Sequence, residues 1–439
     1  MSPKRYVFDA LYGPVNYPDY VWETLSCPEL QRLREVRLCN INSLGLSGGA
    51  NVNRYEHSLG TAYLAMECLD SAAWGLADDT RRKVVLAALL HDVMSAAFGH
   101  SVQYVLHAIG YDHESLDAMV GTSQEATGDK YQYQHARLEQ IYFGMPRRLN
   151  SVLPDGDLRA IGEIVAGRGP YGQLINGSID LDNIDNVYRL AYHIGIVNSG
   201  KTPLQLARAI RVEDDGVAIQ DEALPLVEEW YEVRKRLYRY LLLNPEEFSA
   251  KCMLQEALEI ALRDSPLSFP WHDVDYELLE RLAKHSDAVS CIVSRLMLGD
   301  LYGCCGIYST DRVECFDVLA NPDTRRGVEE ELGIYLRGVG ETGLKKAMVG
   351  LHLIKDVNKT QRQVQVITTK GERAQIGVPT HRVLIGVFFK NIHLSITRMS
   401  QEDIGRQGVP SAVRQWLERK LEIAPLLEMV PYGEVAESE

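Results

Sequence analysis

The stretch Val84-Val85-Leu86-Ala87-Ala88-Leu89-Leu90-His91-Asp92 decides how the chain is read. Its apolar run is what a helix buried on most sides looks like, and it leads directly into an imidazole and a carboxylate. That pair would stand at the end of a buried helix, where charge is costly unless something compensates it. Adjacent nitrogen and oxygen donors suit a borderline divalent cation better than a soft one. On the dipeptide alone, a capped helix end with a chance His-Asp pair is the commoner explanation, because short motifs recur by accident.

Two further segments shift that balance. Upstream lies Arg54-Tyr55-Glu56-His57-Ser58-Leu59-Gly60, and downstream Ile179-Asp180-Leu181-Asp182-Asn183-Ile184-Asp185. A histidine, then His-Asp, then a later aspartate provides two nitrogens and two carboxylates. That is enough for one metal site, closed or partly open. His57 alone, near a helix start, would more often be a surface or capping residue.

Composition bounds the rest. With 439 residues the chain can bury a large core and has room for two or three domains. A net charge of −14 argues against a general nucleic-acid-binding surface, though not against a small basic pocket for a triphosphate. The eight cysteines are scattered and form no C-x-x-C pair, so a zinc ribbon has little support and a reducing, cytoplasmic setting fits best. The N-terminus lacks an apolar signal core, and no apolar stretch approaches the ~18 residues of a membrane span.

Along the chain, residues 6–25 read as an extended lead-in punctuated by Asp9, Gly13, Pro14 and Pro18. Helical spacing follows from Pro28 to Cys39, then a loop at 40–53, a helix from Arg54 to Leu76 and the His-Asp helix at 80–94. Residues 120–135 form a polar loop and 158–167 a short helix. Residues 222–264 give two long helices joined near Asn244-Pro245. After about residue 300 the texture changes: Cys304–Val318, Val364–Ile367 and Arg382–Phe389 read as strands, with helices at 323–332 and 409–423. The fold class is therefore mostly α, a helical core over 1–300 (extended by 222–300) with a small mixed α/β lobe over 301–433. The acidic tail 434–439 is expected to be disordered.

The order and flanks of these motifs resemble the HD-domain metal phosphohydrolases, and within them the deoxynucleoside-triphosphate triphosphohydrolases, the group that includes proteins joining an HD domain to a sterile-alpha-motif domain. The resemblance extends to Cys27-Pro28-Glu29-Leu30-Gln31-Arg32-Leu33-Arg34 and to Asp300-Leu301-Tyr302, and covers about the first two-thirds of the chain. It implies a metal held by His57, His91, Asp92 and Asp182, with Asp180 as a support. It implies phosphate contact by Arg54, substrate contact at positions 183 and 186, a base near the phosphates from the segment containing Lys251, and a catalytic role for His113. It also implies nucleotide-gated homo-oligomers.

The chain departs from that pattern at several places. Met94 and Ser95 stand where the family has glycine and a catalytic-pocket histidine, and Gln103 where it has an acidic residue. Asn183 and Asn186 replace a lysine and a tyrosine, and Leu38-Cys39-Asn40 replaces Gln-Leu-Gly, whose glutamine helps exclude a ribose 2′-hydroxyl. Groups able to shuttle protons are lost, and sugar discrimination should loosen. The expected function is metal-dependent hydrolysis of (deoxy)nucleoside triphosphates to nucleoside and triphosphate. The cofactor is one divalent ion, with manganese, iron, magnesium, nickel and zinc all open; the partners are a nucleotide substrate, an activating nucleotide and further copies of the chain. Two alternatives stay open: a phosphohydrolase of nucleotide monophosphates or a signalling nucleotide, and a metal-binding nucleotide sensor with reduced turnover.

Overall fold

The computed structural model describes residues 5–39, 51–71, 75–99, 101–102, 149–213, 216–264, 273–339, 348–390, 409–421 and 427–428. The expectations for the loop at 40–50, Gln103, His113, the loop at 120–135 and the acidic tail lie outside the described residues.

A short hairpin opens the chain, β1 (Val7–Asp9) against β2 (Gly13–Val15). Asp9 makes its turn, one carboxylate oxygen accepting the amides of Leu11 at 2.8 Å and Tyr12 at 2.9 Å. The lead-in is not wholly extended. Helix α1 (Asp19–Leu25) starts after Pro18, which occupies the N-cap, where a missing amide is no loss. Helix α2 (Pro28–Gln31) passes into a 3-10 turn over Arg32–Glu35 and stops there. The expected helix to Cys39 is cut short because Val36 and Leu38 pair their backbones with Arg54 and Val52 instead.

Helix α3 (Arg54–Ser71) is capped by Asn53, whose side-chain oxygen accepts the Glu56 amide at 2.9 Å. Helices α4 (Asp78–Leu90), α5 (Leu149–Val152), α6 (Asp155–Val165), α7 (Leu181–His193) and α8 (Lys201–Ala209) continue the first core. Helix α4 packs between α3 and α6, which is why Val84–Leu90 is apolar all round and wholly buried. Then come β3 (Ile210–Glu213), β4 (Gly216–Ile219), the long helices α9 (Leu224–Leu242) and α10 (Pro245–Asp264), and α11 (Asp275–Ala283) and α12 (Asp287–Met297).

The C-terminal part is mixed: β5 (Gly303–Thr310), α13 (Glu314–Ala320), α14 (Pro322–Val339), β6 (Val349–Val357), β7 (Val364–Thr368), β8 (Arg373–Ile376), β9 (His381–Phe389), α15 (Val409–Lys420) and β10 (Leu427–Glu428). The strand expected to reach Val318 ends at Thr310, opposite Val383, the last pairing to β9, and Val318 falls on α13. Strands β10-β5-β9-β6 form one antiparallel sheet. Its Leu384 and Phe388 pack on α10, while Val383, Ile385, Val387 and Phe389 face α14 and α15. Burial on both faces explains the long apolar run in β9. Gly386 interrupts it because a Cβ there would lie 2.6 Å from the Phe248 ring of α10.

The second sheet, β3-β4-β7-β8, was not legible as a unit. Its β4 and β7 run parallel, with Ala218 opposite Ile367, so it joins a hairpin of the helical core to the C-terminal part. Among the described residues no helix is long and apolar enough to cross a membrane.

His352 on β6 sits under α10, its Nδ1 2.7 Å from Gln255 Oε1 and its ring edge-on to Phe248. Burial, with Lys251 and Arg325 adding to it, pushes its pKa down to about 3. An unfolded histidine titrates near 6.5, so the unfolded chain alone takes up this proton between those values. Its contribution to stability is complete above pH ~6.5 and is lost as pH falls. The Tm advantage of wild type over His352→Leu is therefore expected to shrink from pH 7.5 to pH 5, measured by thermal denaturation across that series.

Candidate metal centre

Three helices supply the site. His57 lies in the first turn of α3, His91 and Asp92 follow the last residue of α4, and Asp182 is the second residue of α7. Asp180 is the N-cap of α7, one oxygen accepting the Asn183 amide at 2.6 Å and the other the Gly177 amide at 2.9 Å. That double grip fixes the turn that presents Asp182.

The side chains of these distant segments converge. His57 Nε2 lies 2.8 Å from Asp182 Oδ1, 3.1 Å from His91 Nε2 and 4.0 Å from Asp92 Oδ2. His91 Nε2 lies 3.5 Å from Asp182 Oδ1 and 3.8 Å from Asp92 Oδ2. Donors bound to one ion at ~2.0–2.2 Å stand roughly 3–3.5 Å apart, close to this spacing. His57, His91 and Asp92 each offer one donor atom to a common point.

The far sides of His57, His91 and Asp92 are occupied. His57 Nδ1 is 2.7 Å from Asp185 Oδ2, and His91 Nδ1 is 2.8 Å from the Ala88 carbonyl. Asp92 Oδ1 accepts from Arg54 Nη1 at 2.6 Å and from Ser95 Oγ at 2.7 Å. Its Oδ2 is buried and has no hydrogen-bond partner. An orphaned carboxylate oxygen aimed at two imidazole nitrogens and a second carboxylate fits a divalent cation, and this donor chemistry suits one. Asp182 is the most open of the four, with its side chain 32% exposed.

The electrostatics point the same way. Burial disfavours charged His57, but Asp182 and Asp185 overcome it and push the pKa up to about 10. His91 is raised too, against burial, by Asp182 and Asp92. Asp92 is held far below the usual carboxylate range by Arg54 and the histidines despite its burial, and Asp182 likewise by His91 and His57. Burial, then the neighbouring Asp182 charge, pushes Asp180 up to about 6. A carboxylate field that draws positive charge onto two imidazoles draws a cation equally well.

Other expected residues are placed differently. Arg54 holds Asp92 and keeps a buried, unpartnered Nε. The Asn183 amide donates to both Asp180 oxygens at 3.0 Å and so serves the cap. Asn186 lies half-buried one turn past Asp182. Lys251 is buried on α10 with its ammonium 3.4 Å from the Leu241 carbonyl, and burial pushes its pKa down. It shares its surroundings with Cys39, whose thiol burial and Glu247 push up to about 12, and which also feels Arg54. Ser95, which stands at the place of the family's catalytic-pocket histidine, is an orienting partner of Asp92. The loop after Asp92 is held by Arg32, which donates to the carbonyls of Val93 at 3.0 Å and Ser95 at 2.7 Å. It turns through Phe98 at φ 54°, with the Phe98 amide donating to Asp275 at 2.8 Å. Sequence reading missed the roles of Asp185 and Arg189; their i,i+4 opposite charges on a helix beside the ligand were the available signal.

Addition of Mn2+ at a hundred times its Kd is expected to stabilise the protein by about 2.7 kcal/mol. His91→Ala should abolish that shift, both read by thermal denaturation with and without metal.

Three kinds of likeness accompany this geometry. Residues 54–132 match the HD domain family model. Among curated proteins, the chain is 27% identical over 268 residues to the uncharacterized protein YwfO of Bacillus subtilis, covering 60% of this chain and 57% of that one. It is 22% identical over 266 residues to the deoxynucleoside triphosphate triphosphohydrolase SAMHD1 homologue of Dictyostelium discoideum, covering 58% and 48%. The chain thus matches about half the length of these relatives. In fold it is similar to the crystal structure of a phosphohydrolase from Bacteroides thetaiotaomicron, with a TM-score of 0.62 at 16% identity over 89% of this chain and 100% of that one. The conclusion from motif, geometry and match together is that the chain contains an HD domain, and that His57, His91 and Asp92 belong to it.

Proposed function

We propose that the chain is a metal-dependent phosphohydrolase that cleaves (deoxy)nucleoside triphosphates to nucleoside and inorganic triphosphate. The observation that carries this reading is the convergence of His57, His91, Asp92 and Asp182, with the outer atoms of both histidines and of Asp92 already engaged. The HD domain supports it, as do the names of the Dictyostelium relative and of the Bacteroides structure. The four ligands would hold one divalent ion, and manganese, iron, magnesium, nickel and zinc all suit two nitrogens and two carboxylates. Such an ion supplies Lewis acidity toward a phosphoryl oxygen and toward water.

The chain's own residues bind and orient. Arg54 Nε donates to a phosphate oxygen while Nη1 keeps Asp92 in place. Asn186 supplies a neutral contact beside Asp182, and Asn183 reaches substrate only by leaving Asp180. Lys251 adds positive charge on the Cys39 side. His113 moves the proton to the leaving oxygen. An activating nucleotide and homo-oligomeric assembly belong to the same proposal.

One observation favours a second reading, a nucleotide sensor with reduced turnover. The Ser95 hydroxyl is committed to Asp92 at 2.7 Å, so it moves no proton for a substrate.

Incubation of the full chain with each dNTP and NTP and several metals, followed by 31P NMR and nucleoside chromatography, separates these readings. Inorganic triphosphate plus nucleoside, abolished by Asp182→Ala, is the expected result. Binding without any product under every metal would leave only the sensor, and full turnover by Asp182→Ala would overturn the site. Ribonucleotides are expected to be cleaved at rates within about tenfold of deoxyribonucleotides, since a site without the hydrogen-bonding glutamine separates such pairs weakly. Strict preference for one deoxynucleotide would contradict that.

A further inference from the structure

Behind His57 lies a buried cluster that the proposed reaction does not use. Asp185 is fully buried and accepts on both oxygens. Oδ2 takes His57 Nδ1 at 2.7 Å and Arg189 Nε at 2.8 Å; Oδ1 takes Arg189 Nη2 at 2.9 Å and the Tyr12 hydroxyl at 2.7 Å. The Arg189 guanidinium is equally buried and divides itself among Asp185, Asp9 at 3.0 Å and Glu56 at 2.6 Å. His193 meets the same Glu56 oxygen at 2.9 Å. Asp9 and Tyr12 come from the turn of the β1–β2 hairpin, remote in sequence from every ligand. The Tyr12 ring lies 5.4 Å from the Arg189 guanidinium and packs edge-on to Tyr63. Gly60 permits this arrangement, because a Cβ there would stand 2.1 Å from both Asp185 and Arg189.

We propose that the Val7–Val15 hairpin is part of the outer shell of the metal centre, with Asp9 and Tyr12 as positioning residues that lock the Asp185–Arg189 pair behind His57. The inference rests on the metal-site reading above. An ionised carboxylate only accepts, so Asp185 holds a proton on His57 Nδ1, and Nε2 is the nitrogen left to give up its proton to a cation. Asp185 can do this only while it keeps its charge and its angle. Arg189 fixes the angle with two parallel bonds, and the hairpin fixes Arg189 and Oδ1. Removal of Asp9 leaves a buried guanidinium with one carboxylate fewer, and removal of the Tyr12 hydroxyl frees Oδ1 to rotate. Metal affinity and docking of the hairpin are then one linked property of the fold.

The test is Mn2+ affinity by calorimetry on the full-length protein, with the Tm of the metal-free protein as the structural control. Asp185→Asn cannot satisfy all four donors, because its amide nitrogen must oppose Arg189 from either side; its affinity is expected to fall about 10–100-fold. Tyr12→Phe keeps the ring packing and is expected to lose about fivefold, the weight of one hydrogen bond. Asp9→Asn falls between, and Phe8→Ala, on the same hairpin but 82% exposed, matches wild type. If Asp185→Asn does not fold, Tyr12→Phe and Asp9→Asn carry the test. Variants with a lower Tm but wild-type Mn2+ affinity would reduce the hairpin to a structural element and overturn the inference while sparing the metal site. A wild-type protein that takes up no Mn2+ would overturn both.

Discussion

Charge placed where water is scarce must be matched locally, and much of this molecule is arranged around one such place. At the junction of α3, α4 and α7, Asp92, Asp182, Asp185 and Asp9 face His57, His91, Arg54 and Arg189 with little solvent between them. Several of these groups are held from other elements, and others from within their own helix. Arg54 and Ser95 orient Asp92, Asp180 caps the turn carrying Asp182, and Arg32 from the 3-10 turn pins the loop after Asp92. The surrounding apolar helices exclude water and so strengthen every one of these interactions. The buried Val84–Leu90 run is the wall that makes the adjacent polar pair consequential.

Legibility in the sequence followed the range of the interaction. The His-Asp helix, the long pair α9 and α10 and the apolar strand β9 announce themselves through local pattern, since burial on all sides or on alternate faces leaves a periodic trace. Asp180 enters as a support through the resemblance, and its contact is local, an N-cap acting three residues away. Asp9 and Tyr12 were not legible, since their partner Arg189 is some 180 residues on and nothing local distinguishes them from turn residues. The 3-10 turn at Arg32–Glu35 reads as a continuing helix because Leu30, Leu33, Val36 and Leu38 keep near-helical spacing, while the backbones of Val36 and Leu38 pair with Arg54 and Val52. Strands β3 and β4 are four residues each, too short for alternation to speak, and are stabilised by β7, more than a hundred residues later.

The resemblance names four residues that converge in the structure, and the scaffold gives two of their neighbours uses of its own. Ser95 reads as a lost histidine; in place it completes the hold on Asp92. Asn183 reads as a weakened substrate contact; in place it reinforces the cap of its own helix. Both side chains turn to the scaffold, which favours rigidity of the site over reach toward a bound molecule.

The sheet β3-β4-β7-β8 carries a consequence for the chain as a whole. The parallel seam between Ala218–Ile219 and Ile367–Thr368 gives β4 its second neighbour, and the Arg362 guanidinium on the approach to β7 donates to the Gly177 carbonyl at 2.7 Å, in the turn leading to Asp182. Cutting the polypeptide near residue 300 would strip β4 of that neighbour and bare a row of amides and carbonyls, an adhesive margin for other chains. Helical core and C-terminal part are therefore interlocked halves, and excision of either would trade a folded body for a sticky one.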